Sequence, residues 1–169
     1  LSWETVLRKR EAFRRAFHDF DPDVVAGFDA ADVTRLLSDD SIIRNRRKIA
    51  AAITNARATV MLRNKGGLVD FIWSFRPDET PAPTTVAEIR STSPESVALA
   101  KALKKEGFVF VGPTTMYALM QAIGMVDDHL VGSWRRGSSG VWAHASAAPS
   151  QPATASTAEG RSSTWTSRE

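Results

Sequence analysis

The chain has 169 residues, 43% of them hydrophobic, which suits one domain with a real core and a possible tail. It has no run of about 18 apolar residues, which argues against a helical membrane span, and no cysteine, which excludes disulfides and cysteine-ligated metal within these residues. A net charge of +3 permits a polyanionic partner without requiring one. The opening LSWETVLRKR carries no signal-peptide core and no initiator methionine, so it reads as a processed chain or a fragment that starts inside a gene, and the lack of cysteine fits a cytosolic protein.

Taken in order, residues 3–17 place Trp3, Val6, Leu7, Phe13 and Phe17 on a 3.6-residue period and predict an amphipathic helix. Asp21 before Pro22 predicts the capped start of a short helix, and Asp29 caps another in which Val33, Leu36 and Leu37 pack. A long helix follows, with Ile42, Ile43, Ile49, Ile53, Ala56 and Val60 as its buried stripe and Gly66-Gly67 as its stop. Leu68, Phe71, Ile72 and Phe75 suggest a short helical segment, and a proline-rich loop comes next. Ser93 and Pro94 open a helix that Gly107 closes. The last predicted helix runs near 114–124. No segment reads as a strand and no repeat is visible, so the expected class is all-α. Residues 1–136 are expected to form the helical domain. Residues 137–169, rich in Ser, Ala, Thr, Gly and Pro, are expected to be a disordered tail. Composition offers no reason for Trp142 and Trp165 within it.

Basic residues cluster three times: Arg8, Lys9, Arg10, Arg14 and Arg15; Arg44, Arg46, Arg47 and Lys48; and Lys101, Lys104 and Lys105. Such groups are solvated helix faces or a polyanion footprint. The third group precedes the segment GFVFVGPTTMYALM. Helix, short glycine-containing turn, helix is a plain αα-hairpin in many proteins. It also suits a helix-hairpin-helix, in which Gly112 lets backbone approach a phosphate and the amides that open the second helix point at its oxygens. Thr114 and Thr115 would add hydroxyl donors, and Lys104 and Lys105 charge. Such contacts position a protein on DNA without reading its sequence.

The stretches LSWETVLRKREAFRRAFHDFDP, IIRNRRKIAAAITNARA, FIWSF and TSPESVALAKALKKEGFVFVGPTTMYALMQAIGMVDDH resemble the bacterial DNA-3-methyladenine glycosylase I (Tag) family from residue 1 to about 133. The resemblance implies a helix-hairpin-helix glycosylase fold. It also implies an enzyme that flips 3-methyladenine out of alkylated double-stranded DNA and cleaves its N-glycosidic bond, a monomer of the bacterial cytoplasm. A non-catalytic DNA-binding module is the alternative. By position, Trp3 matches an aromatic that stacks on the extruded base; on the residues alone it reads as a core anchor. Leu1 matches the wedge that fills the gap in the duplex, and Gly112, Pro113, Thr114 and Thr115 match the phosphate-gripping hairpin. Tyr117 is expected in the core. The family carries a structural zinc. His129 matches one ligand, and Ser133 stands where a cysteine is expected, so zinc is not expected to bind this chain. The family's N-terminal segment, with two zinc ligands, pocket aromatics and a base-contacting glutamate, has no counterpart before Leu1. The chain therefore reads as an N-terminally truncated form with weak or absent turnover. Asp128, with Asp127 before it, is a candidate carboxylate beside a developing sugar cation or simply part of a helix-terminal turn.

Overall fold

The computed structural model of the protein describes residues 2–142. Among them every regular element is helical: α1 Trp3–Arg8, α2 Arg10–Ala16, α3 Pro22–Ala26, α4 Ala30–Ser38, α5 Arg46–Leu62, α6 Leu68–Trp73, α7 Pro94–Lys105 and α8 Pro113–Ala122. The caps are those the sequence predicts. Asp21 accepts from the Asp23 amide at 2.9 Å, Asp29 from those of Ala31 and Asp32, and Ser93 exchanges side-chain bonds with Ser96. These bonds satisfy amides that no helical carbonyl can reach. Gly66 and Gly67, at φ 95° and 93°, end the α5 segment as expected.

Two expected boundaries move. The first helix breaks at Lys9, whose ψ of 1° leaves the helical well. Its Nζ donates to the Asp40 and Ser41 carbonyls at 2.8 and 2.9 Å, so this lysine ties the break to the loop before α5. Ile42 and Ile43 precede α5 instead of belonging to it, because Asn45 caps the helix by accepting from the Lys48 amide. A feature with no sequence signal follows α2: His18, Asp19 and Phe20 form one left-handed turn at φ 50–59°. Phe20 there stacks on Phe17, ring centroids 5.2 Å apart, which offsets part of the backbone cost.

Helix α5 is the spine. Ile49, Ile53 and Ala56 enter a core with Phe17, Val25, Phe28, Leu36 and Ile42. Ala58 and Leu62 enter a second core, built by Leu99, Ala100 and Leu103 of α7 and Met116, Tyr117 and Met120 of α8. Arg57 of α5 donates to the Ala26 and Phe28 carbonyls, and Arg63 pairs with Asp23 through two 2.7 Å bonds, so α3 is docked at both ends.

The expected tail begins differently from its composition. Residues 137–142 pack on the helical body: the Gly137 amide donates to Asp127 Oδ2, and the Arg76 guanidinium lies 4.3 Å from the Trp142 ring centroid. That contact accounts for Trp142. Residues 143–169, Trp165 with them, lie outside the described residues, as does Leu1.

Candidate nucleic-acid interface

The turn between α7 and α8 is built residue by residue. Gly107, at φ 91°, closes α7: its amide returns to the Lys104 carbonyl and that of Phe108 to Leu103, at 3.1 and 3.0 Å. Phe108 and Val111 then plunge into the second core, while Val109 and Phe110 face solvent. Gly112 is the extended residue before α8, Pro113 its first residue, and no side chain caps the helix. Met116 is the first amide to bond back along α8, to the Gly112 carbonyl at 2.9 Å. The Thr114 and Thr115 amides come before it, so no turn of helix lies beneath them to accept their protons. Both threonines are exposed. A methyl group at Gly112 would meet no atom within 4 Å, so its bare Cα leaves open ground on the approach to those amides. The helix dipole adds partial positive charge at the same point. Lys104 and Lys105, exposed in the last turn of α7, complete the expected set. The arrangement suits an anion held by main-chain donors.

Two participants escaped sequence reasoning. Asn55, midway along α5, brackets Val109 with both ends of its amide: Oδ1 accepts from the Val109 N–H at 2.8 Å and Nδ2 donates to the Val109 carbonyl at 3.1 Å. The loop is thus positioned from the spine helix. The one available signal was a half-buried Asn next to the apolar stripe of a helix, where it does not belong by propensity. The other is Phe110, in left-handed backbone at φ 59°, with the Arg47 guanidinium 5.9 Å from its ring centroid. Through Arg47 the second basic group reaches the hairpin.

Trp3 is not a core anchor: it opens α1 with 80% of its surface exposed. An open apolar cleft of about 500 Å³ lies nearby in sequence, lined by Val6, Leu7, Arg10, Phe13, Arg14, Asp19 and Phe20 but not by Trp3. The Trp3 indole therefore projects from the helix without protein walls gathered around it among the described residues.

Beyond α8 the chain turns through Asp127, Asp128 and His129. Asp127 is buried. Its Oδ1 accepts from the His129 amide at 3.2 Å and lies 2.8 Å from His129 Nδ1, and its Oδ2 accepts from Gly137. Burial opposes its charge, but the Gly137 amide and the His129 side chain and amide outweigh that and hold its carboxyl below the usual carboxylate range. Arg136 staples the same turn, donating to the carbonyls of Asp127, His129 and Pro81. Asp128 points the other way, into the core: its Oδ2 accepts from Tyr117 Oη at 3.2 Å and from Gln121 Nε2 at 2.7 Å. Burial and the Asp128 charge push the Tyr117 phenol up to about 12. Tyr117 packs in the core, as expected. Ser133 Oγ accepts from the Arg135 amide within its own turn. His129 thus has one ring nitrogen against Asp127, and the Ser133 hydroxyl serves its own turn.

The profile of the methyladenine glycosylase family matches residues 1–136. The chain is 53% identical over 136 residues to DNA-3-methyladenine glycosylase 1 of Escherichia coli K12, covering 78% of this chain and 72% of that enzyme. A crystal structure of 3-methyladenine DNA glycosylase I superposes with a TM-score of 0.75 at 47% identity, covering 80% of this chain and 76% of that one. The Staphylococcus aureus glycosylase, solved for its recognition of 3-methyladenine, superposes with a TM-score of 0.73 at 31% identity, covering 80% and 74%. The matched residues 1–136 include both cores and the hairpin, and the chain belongs to the methyladenine glycosylase family.

Proposed function

We propose that this chain is a base-excision glycosylase that hydrolyses the N-glycosidic bond of 3-methyladenine in alkylated double-stranded DNA, working as a monomer in the bacterial cytoplasm. The observation that carries the reading is the uncapped start of α8, with Gly112 open before it, in a chain of this family. The hairpin acts as a helix-hairpin-helix grip. A backbone phosphate sits against the Thr114 and Thr115 amides and hydroxyls, and Lys104 and Lys105 add sequence-independent attraction. With the strand held, the damaged nucleotide is extruded. The exposed indole of Trp3 stacks on it, and the cationic alkylated purine gains from the negative face of the ring. The chemistry asks for little acid–base help. The glycosidic C–N bond breaks with its electron pair on a base that leaves neutral, and water adds to the sugar cation at C1′. Free 3-methyladenine, an abasic site and a proton result. Asp127 and Asp128 hold the protein's own turn and core, so extrusion and the leaving group carry the reaction.

A second reading, a non-catalytic DNA-binding module, draws on the exposure of Trp3, which does not line the apolar cleft beside α1 and α2. Incubation with methylated duplex and chromatography of the released bases separates the two. Slow release of 3-methyladenine from methylated DNA alone is expected. No release above a no-enzyme control, with duplex still bound, rejects the glycosylase in favour of the module. The donor set further supports folding without zinc. Dialysis against EDTA is expected to leave the melting temperature unchanged, and a drop would reject that part.

A further inference from the structure

Phe110 combines two unfavourable features at the tip of the hairpin. Its backbone is left-handed, φ 59°, a conformation that Cβ disfavours and glycine adopts freely. Its ring is 55% exposed, although Phe108 and Val111 on either side are buried. Neither feature is repaid by packing inside the protein, and strain of this kind persists where function uses it. The surroundings are specific. Asn55 fixes Val109, the preceding residue, at both its N–H and its carbonyl. The Arg47 guanidinium lies 5.9 Å from the ring centroid, and Arg44, Arg46 and Lys48 are exposed alongside in sequence. Gly112, the entrance to the anion-binding start of α8, is only two residues further on. An exposed phenyl with one guanidinium beside it, next to a proposed phosphate grip, fits a polyanion with apolar faces along its backbone.

We propose that Phe110 and Arg47 form a second contact with the duplex, separate from the phosphate grip and resting on the glycosylase reading above. The phenyl ring packs on a deoxyribose of the strand held at α8, the apolar part of every nucleotide whatever its base. Arg47 takes a neighbouring phosphate. The left-handed backbone at Phe110, held by Asn55, is what presents the ring outward.

The test is Phe110→Gly, which keeps the backbone conformation and removes only the ring. Binding to a fluorescent duplex is followed by anisotropy across a salt series, beside a thermal melt. The variant is expected to melt no lower than the parent, because glycine relieves the strain, and to bind about tenfold more weakly with an unchanged salt slope. Arg47→Gln is expected to lower the slope of log K against log salt by about 0.9, one phosphate's worth. Phe110→Tyr is expected to restore parental affinity. Parental affinity in Phe110→Gly, with or without a lower melting temperature, overturns the second contact and leaves the glycosylase reading standing. A parent protein that binds no duplex even at low salt overturns both.

Discussion

Asn55→Ala probes the link between the spine helix and the hairpin. The substitution removes the bonds to the Val109 N–H and carbonyl, at 2.8 and 3.1 Å. Each is worth about 1 kcal/mol net, toward the lower end here because Val109 is exposed and water replaces part of the loss. Against this, alanine in a helix interior gains about 0.6 kcal/mol over asparagine. The difference is a destabilisation of about 1 kcal/mol, or a melting temperature lower by about 4 °C. Thr54→Ala, one exposed position earlier on α5, is the control, since it gains propensity and loses no such clamp, so it is expected to raise stability slightly. The released loop must also be ordered afresh on binding, which is expected to weaken duplex affinity about fivefold at an unchanged salt slope. Urea unfolding gives the first quantity and anisotropy the second. If Asn55→Ala behaves like Thr54→Ala, stabilised and undiminished in affinity, the clamp contributes nothing and the positioning argument fails.

Trp3→Ala removes an exposed side chain, so it is expected to leave the melting temperature within about 1 °C of the parent. The same change is expected to cut release of 3-methyladenine at least about tenfold, and unchanged release would remove Trp3 from the base-binding role. Gly124→Ala places a methyl group 2.5 Å from Ser139 Cβ at a φ of 74°. A loss of about 2–4 kcal/mol in urea unfolding is expected from left-handed strain plus displacement of the 137–142 segment, and a loss under about 1 kcal/mol would mean that segment yields freely. Tyr117 is the single tyrosine, so absorbance of its phenolate reports one group. Its folded pKa, near 12, lies above the unfolded value of about 10. The stability it contributes is complete below pH 10 and is lost as pH rises toward 12. Phenolate formation is expected to coincide with alkaline unfolding, and a reversible titration near 10 in the folded protein would contradict the burial.

The single sequence settled what depends on neighbours two to four residues apart. Aspartate before Pro22, Asp29, and Ser93 before Pro94 announce helix starts because their cap bonds span only that distance, and Gly66 and Gly107 announce stops because their φ values exclude most other residues. The hairpin geometry at Gly112–Thr115 was legible for the same reason, although the phosphate contact proposed for it came from the family pattern. Tertiary structure alone decided the rest. The break at Lys9 answers to the Asp40 and Ser41 carbonyls, more than thirty residues away. The hairpin loop is set by Asn55, 54 positions before Val109, and the turn at Asp127 is closed by Arg136 and by Thr80, 47 positions before it. A hydrogen bond between residues so distant leaves no periodicity in either segment, and it forms only once the two cores have brought α5, α7 and α8 together.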